Sequence, residues 1–513
     1  MNNDINSILD IFEETVDKCG DRIAVVDPSS SINYEEFLKK VKLAGSQILK
    51  KISKDIKEEE VGYPIAILAD KGIDNLSAML GSVYAGGFYV SVNPEQPLDR
   101  IKKILSVLSP KLFIVEEKYM ERVATLQNEV RMCTLEEIYS DKEVDEDNLF
   151  SKRKYIKRDN PLYGIFTSGS TGVPKCVLVP EGAVIDFISH FTKTFSFTKE
   201  DIIGNQAPFD FDVSIKDIFS ALFTGASLVL IPREYFSTPA VLIDYLIDNK
   251  VTNLTWAVSA LCIISGLKGF SYKVPKDIKR VMFSGEVMPI KQLNIWRENI
   301  PNAKYVNLYG PSEITCNCTY YVIDRKFEKG ERLPLGKVFD GRKVLLLDEN
   351  DNIIKEEGKT GEICVLGESI AIGYYNNEEE TKKHFVEYTY EGKKQRMYKT
   401  GDVAIYENGE MYFSGRKDFQ IKHMGHRIEL EEIERGIDKI DRVYRSICTY
   451  DEKRSRITAY YRGDIDKKDL HIFLKEKLPL YMVPNKFVHI KEFILNKNGK
   501  IDRKQLLNLE VVE

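Results

Sequence analysis

Short apolar runs of β-forming residues alternate with segments of helical periodicity through much of this chain. Residues 65–68, 89–92 and 112–115 are rich in aliphatic and aromatic side chains, whereas the segments ending near residue 85 and spanning 97–108 have apolar residues at helical spacing. Strands that alternate with helices in this way form parallel sheets covered by helices. The sequence therefore predicts a layered α/β structure.

The pattern changes along the chain, which indicates more than one domain. The alternation recurs through residues 227–283, but short strands joined by turns dominate from about residue 343, and residues 429–440 form a charged segment with helical spacing. A chain of 513 residues is also too long for one core. We predict a large N-terminal domain of layered α/β subdomains plus a β-rich subdomain, residues 1–417, and a small, mobile α+β C-terminal domain, residues 418–513.

Net charge and the pattern of apolar runs limit the kinds of partner. A net charge of −5 gives no reason to expect nucleic acid. Residues 1–4 do not form a basic stretch before an apolar core, and no apolar run is long enough to cross a membrane. The eight cysteines are scattered, and Cys316 and Cys318 lack the spacing of a zinc site. We expect a cytoplasmic protein with reduced thiols, no nucleic-acid partner and no membrane insertion.

The segment 166–175, Phe-Thr-Ser-Gly-Ser-Thr-Gly-Val-Pro-Lys, combines hydroxyls, glycines and one lysine in a short loop. Glycines let the backbone approach an anion, hydroxyls donate to phosphate oxygens, and the lysine supplies a point charge. It is not a Walker loop, because Val173 and Pro174 separate the lysine from the last glycine. Taken alone, an ordinary surface loop is the alternative. The candidate phosphate-binding residues are Thr167, Ser168, Gly169, Ser170, Thr171, Gly172 and Lys175.

Three further segments place polar side chains next to glycines. Residues 307–313, Asn-Leu-Tyr-Gly-Pro-Ser-Glu, offer an aromatic ring to stack on a base and a carboxylate to bind a metal. Residues 399–402, Lys-Thr-Gly-Asp, place a carboxylate on a predicted glycine turn, where it suits ribose hydroxyls. Residues 498–503 place Lys500 on another predicted turn. Each segment alone is more typical of a structural turn, but the ordered set indicates a nucleotide site.

In this order the motifs resemble those of the adenylate-forming superfamily, which includes acyl- and aryl-CoA synthetases, luciferases and the adenylation domains of nonribosomal peptide synthetases. The resemblance extends from about residue 32 to residue 504. The amino-acid-activating branch, and within it the stand-alone D-alanine:carrier-protein ligases, is most similar in residues 205–212, 283–287 and 418–422. The resemblance implies an AMP-forming ligase that uses ATP and Mg²⁺.

The resemblance also implies a two-step reaction. The substrate carboxylate attacks the α-phosphorus of ATP to give an acyl adenylate and pyrophosphate, and a phosphopantetheine thiol then attacks the adenylate to give a thioester. Charge stabilisation does most of this work. The implied catalytic residues are Lys500, Lys175 and Glu313, with Glu313 also holding Mg²⁺, and Asp418 is the implied hinge between the two steps. The implied ATP- and AMP-binding residues are the loop from Thr167 to Gly172 with Asn307, Tyr309, Gly310, Ser312, Asp402 and Arg416.

Asp212 indicates the class of acid. In the amino-acid branch an Asp at this position pairs with the substrate α-ammonium, and a buried carboxylate favours such a cationic group. The alternative is a helix-capping aspartate. Polar and medium-sized side chains at the other implied pocket positions predict a small amino acid, D-alanine first and serine close behind. Those positions are Val213, Lys216, Thr255, Met282, Ser284, Leu308, Cys316 and Asn317.

Three residues depart from the pattern of the D-alanine ligases. Ser284 stands where they usually have Cys, and Lys216 stands where an aromatic residue or Met is common. Lys216 could attract an acidic side chain, but a lysine reaching to solvent is the favoured alternative. Cys176 replaces a glycine after the loop lysine, and a side chain there could narrow the site.

The sequence leaves two other functions open. One is an acyl- or aryl-CoA synthetase, and the other is a nucleotide-binding module without turnover. Asp212 argues against the first, and the presence of Lys500 and Glu313 argues against the second. Because no carrier-attachment context follows residue 504, we expect a separate carrier protein to accept the acyl group in trans.

Overall fold

A computed structural model describes residues 5–169, 172–452, 454–494, 501 and 503–509. The helices, in chain order, are α1 (Ile8–Cys19), α2 (Tyr34–Ile52), α3 (Ile73–Tyr84), α4 (Leu98–Leu108), α5 (Met120–Val123), α6 (Leu135–Ile138), α7 (Glu146–Arg153), α8 (Glu181–Thr194), α9 (Val213–Thr224), α10 (Pro239–Asp248), α11 (Val258–Gly266), α12 (Ile290–Asn299), α13 (Glu378–His384), α14 (Leu430–Asp438), α15 (Lys467–Lys477) and α16 (Arg503–Leu509). The strands are β1 (Ile23–Val26), β2 (Ser31–Asn33), β3 (Tyr63–Leu68), β4 (Gly87–Val92), β5 (Leu112–Val115), β6 (Met132–Thr134), β7 (Pro161–Thr167), β8 (Lys175–Pro180), β9 (Ile202–Asn205), β10 (Ser227–Leu230), β11 (Asn253–Ala257), β12 (Arg280–Ser284), β13 (Lys304–Tyr309), β14 (Thr319–Val322), β15 (Lys337–Val338), β16 (Arg342–Leu347), β17 (Thr360–Gly367), β18 (Gly373–Tyr374), β19 (Phe385–Tyr390), β20 (Lys393–Glu407), β21 (Glu410–Arg416), β22 (Gln420–His423), β23 (His426–Glu429), β24 (Val443–Asp451), β25 (Arg456–Gly463) and β26 (Lys486–His489).

The chain divides into two compact units. The first comprises the described residues of Met1–Pro94, Leu108–Ile165 and Cys176–Lys417, and the second comprises those of Glu95–Val107, Phe166–Lys175 and Asp418–Glu513. The second unit therefore contains most of α4 and the loop after β7 as well as the C-terminal part of the chain.

Three sheets build the first unit. A sheet of nine strands has the order β15-β14-β13-β12-β11-β9-β10-β1-β2, and a sheet of seven has the order β18-β8-β7-β4-β3-β5-β6. A third sheet runs β16-β17-β20-β19, with β21 paired to β20. In the first two sheets the central neighbours are parallel, and the third is antiparallel. The predictions of α/β layers and of a β-rich region after residue 343 are confirmed.

Strand burial explains why the first two sheets form. Every residue of β3 and β5 is buried, as expected for parallel strands covered on both faces. One continuous core joins these sheets to α1, α2, α3 and α8, and a second core surrounds Trp256 and Trp296 between α10, α11 and α12. These cores fix the strand ends at which polar residues collect.

The second unit has its own core. The hairpin β22-β23 and the sheet β24-β25-β26 pack with α14 and α15 around Ile433, Cys448, Leu470 and Met482. The charged segment predicted to be helical is α14, which buries Ile433 and Ile437. None of the helices among the described residues is long and apolar enough to span a membrane.

One local prediction is wrong. Residues 399–402 do not form a turn but lie within β20, which runs without interruption from Lys393 to Glu407. Gly401 has φ 73°, and the pairing of β20 with β17 shifts register there, so the glycine forms a bulge inside the strand. A bulge re-aims the side chains around it without ending the ladder.

Candidate active site

Four parallel neighbours of the nine-stranded sheet end at one edge. Strands β9, β11, β12 and β13 are adjacent and parallel, and their last residues are Asn205, Ala257, Ser284 and Tyr309. Ligands of open α/β sheets bind outside the carboxyl ends of such strands. The predicted substrate residues Thr255, Met282, Ser284 and Leu308 lie on these strands, and all are buried.

Tyr309, Asp402 and Arg416 form one hydrogen-bonded group at this edge. The Tyr309 hydroxyl donates to Asp402 Oδ2 at 2.6 Å, and the Arg416 guanidinium donates to Asp402 Oδ1. Burial, with Asp402 as the next cause, raises the pKa of Tyr309 well above its usual value, so the hydroxyl keeps its proton. The group offers an aromatic ring, a carboxylate and a cation together.

Strand pairing places Asp402. Asp402 and Arg416 are direct partners in the antiparallel pair β20-β21, which brings their side chains together. The bulge around Gly401 is held by Thr400, whose hydroxyl donates to Ile363 O at 2.8 Å and accepts from Asp402 N at 3.0 Å. Asp402 is 1% exposed. The carboxylate predicted for the ribose is thus positioned by the bulge rather than by a turn.

Glu313 lies in the short 3₁₀ helix Ser312–Ile314 and is 1% exposed. Its Oε1 accepts from the Tyr374 hydroxyl at 2.7 Å, and its backbone carbonyl accepts from Ala371 N at 2.9 Å. Mg²⁺ is often held by one carboxylate together with substrate phosphates. A single carboxylate in this setting fits that mode, as predicted for Glu313.

Asp212 directly precedes α9. Its side chain makes no capping hydrogen bond to that helix, so the helix-cap alternative is wrong. Instead Asp212 Oδ2 accepts from Ser312 Oγ at 2.7 Å, and Asp212 O accepts from Cys316 Sγ at 3.1 Å. Ser312, predicted to bind the nucleotide, thus holds the carboxylate predicted for the substrate ammonium.

Lys216 lies one turn into α9 and is 1% exposed. Its Nζ donates to Ser284 Oγ at 3.1 Å and to Asn317 Oδ1 at 2.9 Å. Burial lowers the pKa of this lysine. The expectation that Lys216 reaches to solvent is therefore wrong, because its ammonium is held inside by two neutral oxygens.

The turn from Gly310 to Asn317 has backbone constraints that local sequence patterns do not reveal. A Cβ on Gly310 would lie 2.6 Å from Asn317 Cα, so only glycine fits there. Thr315 and Cys316 have φ of 56° and 72°, a region that favours glycine. Such strain is held by surrounding structure and concentrates at functional sites. It presents Cys316 and Asn317 to Asp212 and Lys216.

Other predicted residues of the first unit have simpler surroundings. Val213 begins α9 and is buried. Asn307 lies on β13, and its side-chain amide donates to Pro334 O at 2.9 Å, which ties down the strand end. The Cys176 thiol is fully buried, and a Cβ on Gly164 of the neighbouring strand would lie 2.7 Å from its Sγ. Burial raises the pKa of Cys176, which disfavours the reactive thiolate.

Sequence reasoning missed several polar side chains of this edge. Asn205 Nδ2 donates to Asp217 Oδ2 at 3.0 Å, and Lys71 Nζ donates to the carbonyls of Asn205 and Gln206 at 3.1 and 3.0 Å. Burial raises the pKa of Asp217 to about 7 and lowers that of Lys71 to about 7. Tyr374 was also missed. Asn205, Asp217 and Tyr374 lie in ordinary strand and helix patterns, and Lys71 lies in the loop before α3, so nothing in the local sequence marks them.

The predicted phosphate loop belongs to the second unit, where several of its groups contact the C-terminal segment. Ser168 Oγ donates to Arg427 O at 2.8 Å and accepts from Glu429 N at 3.1 Å. Gly169 N donates to Glu432 Oε2 at 3.1 Å, and Glu432 also forms a buried ion pair with Arg100. A carboxylate thus accepts from one of the backbone donors predicted to hold phosphate.

The remaining predicted residues of this unit are placed as follows. Thr167 ends β7 and Lys175 begins β8, while Gly172 has φ 78° and its N–H donates to Gly169 O at 2.8 Å. Asp418 Oδ1 accepts from Gln420 N at 3.2 Å. Ser170, Thr171 and Lys500 lie outside the described residues.

Comparison with known proteins shows the family to which the chain belongs. The profile of the AMP-binding enzyme family matches residues 12–375. The chain belongs to this family, which confirms the resemblance drawn from the sequence motifs. It is an AMP-forming ligase, and its family membership implies the use of ATP.

Two relatives are similar over almost the whole chain. It is 31% identical to the D-alanine–D-alanyl carrier protein ligase of Listeria monocytogenes serotype 4a, over 98% of this chain and 99% of the relative. It is also 31% identical to bacitracin synthase 1 of Bacillus licheniformis, over 97% of this chain. The match covers only 9% of that synthase.

A solved structure has the same fold. The Vibrio cholerae adenylation domain AlmE, in complex with glycyl-adenosine-5′-phosphate, superposes with a TM-score of 0.83 at 20% identity, over 100% of this chain and 99% of AlmE. The predicted fold class, a large N-terminal part with a small C-terminal one, is thereby confirmed.

Proposed function

We propose that this protein activates an amino acid as its aminoacyl adenylate and transfers the aminoacyl group to the phosphopantetheine thiol of a separate carrier protein. The observation that carries the proposal is that two hydrogen-bonded groups of side chains lie at the same sheet edge. Asp212 with Ser312 suits an α-ammonium, and Tyr309 with Asp402 and Arg416 suits an adenosine. The printed names of the relatives, a carrier protein ligase and a peptide synthase, support the same reaction.

In the first step the substrate carboxylate oxygen forms a bond to the α-phosphorus of ATP, and the bond from that phosphorus to pyrophosphate breaks. Two anions approach each other in this step, so cations must lie near the reacting oxygens. We assign that role to Lys500, and we assign the β- and γ-phosphates to the loop from Thr167 to Lys175. Mg²⁺ held by Glu313 would neutralise phosphate charge when bound.

Residues of the first unit orient the nucleotide. The Asp402 carboxylate accepts from ribose hydroxyls, and Arg416 fixes that carboxylate from the other side. The Tyr309 ring stacks on adenine while its hydroxyl stays bound to Asp402. These contacts form when ATP binds, before any bond changes. They therefore orient the nucleotide and do not stabilise charge at the reacting phosphorus.

In the second step the carrier thiolate attacks the acyl carbon and AMP leaves. A small domain of residues 418–513, turning about Asp418, would exchange the groups needed for the two steps. The reaction consumes ATP, and we propose that it takes place in the cytoplasm with the carrier protein supplied in trans.

D-alanine is the first substrate to test, since it is the substrate printed in the name of the Listeria relative, and serine is the second. An acyl- or aryl-CoA synthetase is the alternative within the same family. That alternative has no use for a carboxylate at the ammonium position, whereas Asp212 is held there by a hydroxyl.

The test is ATP–pyrophosphate exchange across D- and L-amino acids, fatty acids and aryl acids. Exchange that depends on an amino acid is expected, and exchange with fatty or aryl acids alone would refute the proposal. A holo-carrier protein, but not the apo form, should then become acylated. ATP binding without exchange for any acid would indicate a module without turnover.

The variant Asp212→Asn tests the ammonium site. It keeps the shape of the side chain and loses the charge, so we expect a fall of about 100-fold or more in amino-acid-dependent exchange while ATP binding persists. Asp210→Asn, two residues away, is the matched control and should retain exchange. Equal losses in both variants would remove Asp212 from the proposed role.

A further inference from the structure

Lys216, Ser284 and Asn317 form a buried side-chain cluster that has more hydrogen-bond donors than acceptors. Lys216 Nζ has three N–H groups and uses two of them, on Ser284 Oγ and Asn317 Oδ1. Across the described parts of the chain, the third N–H group, the Ser284 hydroxyl proton and the Asn317 amide nitrogen have no acceptor. The cluster therefore lacks an acceptor that a ligand could supply.

Among the described residues, no carboxylate forms an ion pair with the Lys216 ammonium. Lys216 is 1% exposed, and burial lowers its pKa by more than the nearby Asp212 and Asp217 carboxylates raise it. The next residue, Asp217, is directed to Asn205 instead. A buried charge is costly without a counter-charge, and two neutral oxygens satisfy only part of that need.

We propose that the amino acid activated by this protein carries a carboxylate on its side chain, which binds Lys216, Ser284 and Asn317 while Asp212 pairs with the α-ammonium. This inference rests on the proposed function and narrows its substrate class to acidic amino acids such as aspartate and glutamate. The two ends of the substrate then meet opposite charges, Asp212 at one and Lys216 at the other.

Neutral substrates fit the cluster less well. The methyl group of alanine supplies no acceptor, so three donors stay unsatisfied after water is displaced. A serine hydroxyl supplies one neutral acceptor. Asparagine and glutamine match the acidic residues in shape but have one neutral acceptor oxygen in place of a charged carboxylate, so they isolate the effect of charge.

The first experiment compares kcat/KM for pyrophosphate exchange with the D and L forms of aspartate, glutamate, asparagine, glutamine, alanine and serine. We expect an acidic amino acid to exceed both its amide counterpart and alanine by about 100-fold. If alanine or serine is preferred and the acidic residues stay at background, this inference is overturned and the proposed function stands. If no amino acid supports exchange, the proposed function itself fails.

The second experiment uses Lys216→Met, which removes the ammonium group and keeps an unbranched side chain as far as the ε position. Exchange with the acidic substrate should fall by about 100-fold while exchange with its amide counterpart changes less than about threefold. Lys71→Met is the control, because this half-buried lysine donates to backbone carbonyls, and it should not alter the acid-to-amide ratio. A loss shared equally by all substrates in Lys216→Met would show a structural role and overturn the inference.

A milder variant covers the case in which Lys216→Met does not fold, as judged by its melting temperature. Ser284→Ala removes one donor and leaves the charge, so the acid-to-amide ratio should fall by about tenfold. An unchanged ratio in this variant would contradict the proposed contacts.

Discussion

Two neighbouring residues of α4 form ion pairs that differ in burial, and they provide a quantitative test of the second unit. Arg100 pairs with Glu432, and the two side chains are 6% and 3% exposed. Asp99 pairs with Lys477 at 2.7 Å, and these side chains are 46% and 44% exposed. Water screens the second pair but not the first.

The expected cost follows from what each substitution leaves behind. In Arg100→Met the buried Glu432 carboxylate keeps the Gly169 N–H bond at 3.1 Å and the nearby charge of Lys103. Breaking a buried pair costs about 3–5 kcal/mol. We expect a loss of about 3 kcal/mol in the free energy of unfolding, because the remaining hydrogen bond and the Lys103 charge offset part of that cost. Lys477→Met should cost about 0–1 kcal/mol.

Native-state hydrogen exchange of the full chain is the appropriate assay. Both tryptophans, Trp256 and Trp296, lie in the first unit, so their fluorescence does not report the second unit. Amides of α14 should exchange about 100-fold faster in Arg100→Met and less than about fivefold faster in Lys477→Met. Tryptophan fluorescence serves as the control for the first unit and should not change.

A double substitution separates charge from packing. Arg100→Met with Glu432→Gln removes both charges and keeps an acceptor for Gly169 N, so most of the stability should return. The reasoning is refuted if Arg100→Met resembles Lys477→Met, or if the double variant exchanges as fast as Arg100→Met alone.

Much of the fold was predictable because the spacing of apolar residues and the local composition determine which segments form strands and which form helices. Fully buried β3 and β5 stood out as short apolar runs, and α14 as a charged segment with Ile433 and Ile437 at helical spacing. The bulge at Gly401 was not predictable, because a glycine next to polar residues marks a turn just as well. The register of β17 and β20 decides between these structures, and register depends on distant residues.

The candidate site was partly predictable for a similar reason. Sequence motifs named Asp212, Ser312 and Lys216, but they did not reveal that Ser312 donates to Asp212 across 100 residues of chain. The burial of Lys216 depends on Ser284 and Asn317, which come from a strand end and from a turn with positive φ. The residues next to a helical lysine in the sequence do not show that its side chain will be buried. The sequence therefore favoured a Lys216 side chain that reaches to solvent.

Two further predictions concern the first unit. Tyr374→Phe removes the 2.7 Å hydrogen bond to Glu313, so the Mg·ATP concentration that gives half-maximal exchange should rise about tenfold. Tyr398→Phe is the control, because its hydroxyl lies 3.4 Å from that of Tyr374, and it should have a smaller effect. Equal effects would contradict the role of Tyr374. Glu181 is fully buried and accepts from Ile8 N at the start of α1, and burial raises its pKa from 4.5 to about 7. Because the folded state binds this proton more tightly, the stabilisation is complete below pH 4.5 and is lost as the pH rises through 7. Glu181→Gln keeps the acceptor without the charge, so it should gain about 3 kcal/mol on the native protein between pH 4.5 and pH 8, measured by urea unfolding with tryptophan fluorescence. A difference between the two proteins that does not change with pH would show that Glu181 is ionised in the folded state throughout this range.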